Sequence, residues 1–238
     1  LVGPQRSLHH LHSHCRTCSA HFPDTAPPPL ERRFEPGEVR TPDGFAQAWQ
    51  TYREGGWVGL AGNPEHGGLG MPKMLAVQFE EMLYAANCSF SLYSALSAGC
   101  CLALDAHASE ALKATYLPPL YSGQWAGTMC LTEPQAGSDA SSLKTRARLD
   151  GDHYVLNGCK QFITSGQNAG VVIVFAVTDP AAGKRGISAF IVPTDSPGYQ
   201  VARVEDKLGQ HASDTCQIVF DDVRVPVANR LGEEGEVR

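Results

Sequence analysis

The run Thr128-Met129-Cys130-Leu131-Thr132-Glu133-Pro134-Gln135-Ala136-Gly137-Ser138-Asp139 breaks an apolar strand into a turn of proline, glycine, serine and aspartate. Pro134 and Gly137 each stop a regular element and leave nearby amide groups without a ladder partner. Thr132 and Ser138 add hydroxyls at the break. Free N–H donors, small side chains and hydroxyls suit the polar edge of a planar ligand, although a lone turn of this kind is more often an ordinary strand ending.

The chain changes character on either side of this run. Upstream, over about 41–121, apolar residues recur at helical spacing. Thr41 and Pro42 read as the cap and first position of a helix bearing Phe45, Ala48, Trp49 and Tyr52. A loop, Gly62-Asn63-Pro64-Glu65-His66-Gly67-Gly68-Leu69-Gly70, precedes a helix over about 73–86 and another over about 89–107. Ser109 caps a short helix that Pro118-Pro119 is expected to end. From about Gln124 the period becomes two. Leu143, Thr145, Ala147 and Leu149 alternate with charged residues, which reads as a half-buried strand. Asp150-Gly151 and Asn157-Gly158 are hairpin signals. Further strands are expected at about 171–178, 186–193, 199–204 and 215–225. The fold class is α+β: an N-terminal helical domain over 38–123, then an antiparallel β-barrel-like domain over 124–232. Residues 1–37, with six of the sixteen prolines, read as a disordered tail, and 233–238 as the start of a further helical domain.

The 238 residues carry a net charge of −6 and no block of lysine and arginine, which argues against nucleic acid or an anionic membrane surface as partner. No uninterrupted apolar run approaches the length of a membrane span. Eight irregularly spaced cysteines, two of them adjacent, do not form a disulfide framework, so a reducing, cytoplasmic setting is expected. A transit peptide in the first residues is weighed against their richness in histidine and poverty in arginine. Cys15 and Cys18 lie among His9, His10, His12, His14 and His21, a possible zinc set set against a floppy tail in proline-rich surroundings, and no metal is expected.

Two more segments change the weight of the opening run: Gly158-Cys159-Lys160-Gln161-Phe162-Ile163-Thr164-Ser165-Gly166, and Lys207-Leu208-Gly209-Gln210-His211-Ala212-Ser213-Asp214-Thr215. In this order and spacing the three resemble the flavin-binding signature and later loops of the acyl-CoA dehydrogenases. The resemblance covers about 41–236 and is strongest over 124–232. It implies FAD as cofactor and α,β-dehydrogenation of an acyl-CoA thioester as the reaction. It also implies an electron-transferring flavoprotein as redox partner and a homo-oligomer.

By the same resemblance, Met129, Leu131 and Thr132 hold the pyrimidine edge of the flavin. Gly137 and Ser138 lie near the phosphates and the pantetheine arm, so Ser138 also touches substrate. Phe162 flanks the ring system and Thr164 brings a hydroxyl to the flavin N5. Against these roles, Phe162 taken alone is more often a core aromatic. The resemblance puts the catalytic glutamate in a C-terminal helical domain, and no residue of this chain matches it; the chain is therefore expected to be incomplete and inactive alone. Glu80 and Glu81 read as a solvated helix edge and Glu133 as a structural turn. Gly67-Gly68-Leu69-Gly70 lacks the lysine and flanking strand of a phosphate loop and reads as an inter-helix turn. At His211 relatives commonly carry arginine, so that loop also reads as structural. Loss of a covering domain is expected to expose helix faces around Leu75, Phe79 and Met82 and around Phe90, Leu92 and Leu96. A non-catalytic acyl-CoA, flavin or interaction module on the same scaffold is the alternative.

Overall fold

Four helices precede the sheet in the computed structural model, which describes residue 39 and residues 41–237. They are α1 (Phe45–Glu54), α2 (Lys73–Ala86), α3 (Cys88–His107) and α4 (Glu110–Tyr121). Helix α1 starts at Phe45, later than Thr41-Pro42 suggested. Gly44, at φ 83°, occupies the cap position with no side-chain cap, and only a left-handed residue turns the chain there. Asn87 caps α3 through its side-chain oxygen, which accepts from the Phe90 N–H at 2.9 Å. Ser109 caps α4 as expected, accepting from the Leu112 N–H. Pro118 and Pro119 do not end α4, which runs on to Tyr121. Leu117 and Leu120 are fully buried, and that packing outweighs the backbone bonds the prolines cannot donate.

Helix α3 carries the connection between the two halves. Among the described residues it is the one helix long and apolar enough to cross a membrane, with mean hydropathy 1.2. Here its stripe of Phe90, Ser97, Cys100 and Leu104 is buried, and Cys100 and Leu104 join a core with Val171, Ile173 and Ile191 of the sheet. The Ser97 hydroxyl accepts the Gly127 N–H at 3.0 Å, fixing the start of the first strand. Of the faces expected to lie open, Phe79 and Phe90 are buried in an aromatic cluster with Phe45 and Tyr52, while Leu75, Met82, Leu92 and Leu96 are half-buried. Met74, Val77 and Tyr84 of α2 and Leu102 of α3 are exposed.

The sheet has eight strands: β1 (Gly127–Cys130), β2 (Arg146–Asp150), β3 (His153–Thr164), β4 (Val171–Val177), β5 (Ile187–Pro193), β6 (Tyr199–Val204), β7 (Thr215–Pro226) and β8 (Arg230–Leu231). Their order is β6-β7-β3-β2-β4-β5-β8, with β1 alongside β4. The α+β class stands, and most pairings are antiparallel. The sheet does not close into a barrel, and β1–β4 and β2–β4 are parallel. The β1–β4 pair can be parallel because β1 is reached from α4 and not from a hairpin, so the chain enters the sheet beside a distant strand.

The Asp150-Gly151 hairpin forms, with Asp150 opposite His153 and Gly151 at φ 65°. Asn157-Gly158 does not turn the chain; it lies inside β3. The Asn157 side chain exchanges hydrogen bonds with Asp222, at 2.9 and 3.0 Å, across a bulge in β7. A Cβ at Gly158 would lie 2.7 Å from the Thr145 Cα, so this glycine permits close approach of two backbones. Leu143, Thr145 and Ala147 are buried as the alternation required, but Leu149, near the hairpin tip, is exposed. The tail of residues 1–37, with its histidines and cysteines, lies outside the described residues.

Candidate functional site

Strand β1 ends at Cys130 and the chain enters a two-residue turn. Glu133 and Ala136 exchange both backbone hydrogen bonds, at 3.0 and 3.1 Å, around Pro134 and Gln135. This turn is pinned from beneath. Glu133 is buried. Its oxygens accept the Lys144 N–H at 2.7 Å, the Thr145 N–H at 3.0 Å and the Lys160 ammonium at 2.9 Å. Burial alone would raise this carboxyl; bonds from Thr145, the Lys144 amide and Lys160 outweigh it and bring it down to about 2. Burial pulls the Lys160 ammonium down, and the carboxylate beside it opposes that pull. Glu133 is thus the structural residue that its sequence context suggested, and its lone pairs are spent inside the fold.

Lys160 also donates to the Leu131 carbonyl at 3.0 Å, and the Gln161 N–H donates to the Thr132 carbonyl at 2.9 Å. Leu131 and Thr132 are thereby held against the middle of β3, immediately before Phe162. There β3 bulges: Lys160 pairs with Ile218 and Ile163 with Cys216, so two residues of β3 oppose one of β7. Phe162 sits at φ 59° and is 62% exposed. A bulky residue in left-handed backbone is a genuine outlier, and one that leaves its ring in the open gains no packing in return. Phe162 is therefore not the core aromatic that it would be in most strands.

Thr164 closes β3, half-buried and paired with Thr215 of β7. The turn behind it is anchored by Asp214, which is fully buried. The Asp214 carboxylate accepts the Gln167 N–H at 2.7 Å and the Asn168 side-chain amide at 2.9 Å, and its carbonyl accepts the Ser165 N–H at 3.0 Å. Met129 points outward from β1 between buried Thr128 and Cys130. Gly137 and Ser138 are exposed beyond the Glu133 turn. A Cβ built on Gly137 meets no atom within 4 Å, so the fold itself leaves open space there. Of the sequence-derived residues, Thr132 is tied to the Phe162 bulge by a backbone bond from Gln161, and Leu131 is held beside it by the Lys160 ammonium. Met129 lies on the strand leading in, Thr164 on the strand leading out, and Gly137 and Ser138 on the far side of the turn. Lys160 and Asp214, which hold this rim, were not singled out from sequence; a lysine inside an apolar-flanked strand was the signal for the first.

The loop Gly67–Gly70 is packing, not a ligand cradle. Its amides pair with the carbonyls of Gly59, Gly62, Asn63 and Pro64, and a Cβ on Gly68 would strike the Gly62 backbone at 2.1 Å. His211 bonds the Lys207 carbonyl at 2.6 Å, and the Lys207 ammonium donates to the Ser213 carbonyl, also at 2.6 Å, which makes a self-closed turn. Glu80 and Glu81 are exposed, as expected of a solvated helix edge. The described residues contain no cluster of three metal-ligating side chains.

Comparison with known proteins gives the family. Residues 20–124 match the N-terminal domain of acyl-CoA dehydrogenase and residues 128–223 its middle domain, and the chain belongs to the acyl-CoA dehydrogenase family. It is 41% identical over 191 residues to the mitochondrial isovaleryl-CoA dehydrogenase of Pongo abelii, covering 79% of this chain and 45% of that protein. A chain from a structure described as the electron transferring flavoprotein of Acidaminococcus fermentans superposes with TM-score 0.81 and 33% identity, covering 95% of this chain and 58% of that one. The Bacillus anthracis acyl-CoA dehydrogenase complexed with FAD gives TM-score 0.78 and 32% identity, over 95% and 39%. The chain spans about half the length of the curated relatives it matches.

Proposed function

We propose that the rim formed by 129–138 and 161–166 binds FAD, and that the protein serves the α,β-dehydrogenation of an acyl-CoA thioester. The carrying observation is Phe162, an aromatic ring held 62% exposed on left-handed backbone beside a fixed stretch of main chain. Such strain persists where it has a use, and a flavin face offers a flat apolar partner. The open space over Gly137 suits a ligand group approaching the main chain closely.

When bound, FAD supplies the two-electron acceptor. In this reading the Phe162 ring covers the flavin and keeps water from it. The Thr164 hydroxyl would be a hydrogen-bond donor to the flavin. Met129, Leu131 and Thr132 fix the pyrimidine edge, and Ser138 faces the pantetheine arm of the substrate. Glu133 does not act as the proton-abstracting base, because its carboxylate is committed to four donors, including the Gln135 amide at 2.7 Å. An electron-transferring flavoprotein is the expected acceptor of the electrons and a homo-oligomer the expected assembly. A reducing, cytoplasmic setting fits six described cysteines that are all free thiols, with burial pushing those of Cys100, Cys130 and Cys216 up to about 12.

The test is titration of the protein with FAD, followed by flavin absorbance and fluorescence. The expected result is saturable binding that Phe162→Ala weakens by about tenfold, the loss of one aromatic contact. Absence of any flavin binding to the wild-type protein overturns this reading.

A further inference from the structure

Glu133 and Lys160 form an ion pair whose side chains are 3% and 0% exposed. A buried pair is poor glue. Removing two charges from water costs about what their attraction returns, and apolar replacements of similar volume are often as stable. Its presence at this point of the fold therefore calls for a use other than stability. Three chain segments converge on it: the 131–133 stretch, residues 144–145 before β2, and residues 160–161 of β3. The two carbonyls that it and its neighbour fix are consecutive. Lys160 takes the Leu131 carbonyl and the Gln161 amide takes the Thr132 carbonyl. The next residue along β3 is Phe162. The pair thus sets both the rotation of the 131–132 main chain and its distance from the exposed ring.

We infer that Glu133 and Lys160 are positioning residues. They hold the Leu131–Thr132 main chain in register with Phe162, so that ring and peptide edge are presented together. This rests on the flavin reading above. An ammonium does this better than an apolar residue could. It donates to a carbonyl and to a carboxylate at once, and it has no freedom to leave either in a dry interior. An apolar residue at 160 would fill the volume but leave the Leu131 carbonyl without its donor. The turn could then rotate about the Glu133–Ala136 bonds without disturbing the rest of the sheet.

Three variants test this: Lys160→Met, Glu133→Gln, and the double variant, which leaves no buried charge and guards against failure of either single variant to fold. Two measurements are made on each: FAD titration with the visible spectrum of the bound flavin, and amide hydrogen exchange without ligand. Lys160→Met and the double variant are expected to weaken FAD about 10- to 100-fold, the loss of one hydrogen bond to a charged group, and to shift the flavin spectrum. Exchange over 131–136 is expected to rise about tenfold or more while β4 and β5 keep their protection. A folded variant with wild-type affinity, wild-type spectrum and unchanged exchange over 131–136 overturns the inference. Exchange rising equally throughout the sheet overturns it too, since the pair would then be ordinary structure. If the wild-type protein binds no FAD, the flavin reading falls, and exchange over 131–136 alone decides whether the pair positions that stretch.

Discussion

Two stretches frame the candidate site, and they are anchored differently. The 131–136 turn rests on a buried ion pair, Glu133 with Lys160. The 165–168 turn rests on Asp214, whose carboxylate accepts from neutral donors, the Gln167 amide and the Asn168 side chain. Both anchors are buried carboxylates, and both replace backbone pairing that the sheet cannot supply at a strand end. The ion pair couples three segments that are far apart in sequence, whereas Asp214 clamps one tight turn against the start of β7. The first anchor should therefore be the more sensitive to loss of a single partner, and the second the more local.

The largest expected effect tests that difference. Lys160→Met leaves Glu133 buried without its cation and should cost about 3–5 kcal/mol of stability. Chemical denaturation measures it, and recovery in Lys160→Met/Glu133→Gln would assign the loss to the stranded charge. The same pair sets the acid response. The Glu133 carboxyl lies at about 2 in the fold against an ordinary value of 4.5, so its stabilisation is fully present above about pH 4.5 and is lost as the pH falls towards 2. The melting temperature of the wild-type protein should fall more steeply between pH 4.5 and 2 than that of Glu133→Gln; parallel curves would contradict this assignment.

Smaller effects follow on the other side. Asp214→Asn keeps one acceptor and loses the charge, at about 1–3 kcal/mol. Hydrogen exchange should rise at 165–168 and not at 131–136; a rise in both would merge the two anchors into one. Phe162→Gly should change sign: relief of left-handed strain outweighs the added chain entropy by roughly 0.5–1 kcal/mol, so the variant melts higher while it binds FAD more weakly. A variant that melts lower would show that the ring packs after all. Gly137→Ala should leave stability within about 0.5 kcal/mol, because nothing lies where the methyl would go. Its effect is expected only on FAD or acyl-CoA binding.

Local pattern determined a large share of this protein. The helical period named α2 and α3, the change to period two marked the start of the sheet, and Asp150-Gly151 gave its hairpin, because each is a short-range preference of backbone and side chain. The first two motif segments held the 131–133 turn and the bulge at Phe162, since a turn broken by proline and glycine is written in adjacent residues. What tertiary structure decided was of longer range. Gly158 became an interior contact and not a turn, because Thr145 passes within reach of its backbone. Pro118 and Pro119 stayed inside α4, because Leu117 and Leu120 are buried on either side of them. Strand β1 took a parallel neighbour, because the chain reaches it from α4 and not from a hairpin. Above all, the pairing of Glu133 with Lys160, twenty-seven residues apart, has no local signature. A charge is worth burying only where folding brings its partner and its remaining acceptors to the same point, and that meeting is a property of the whole fold.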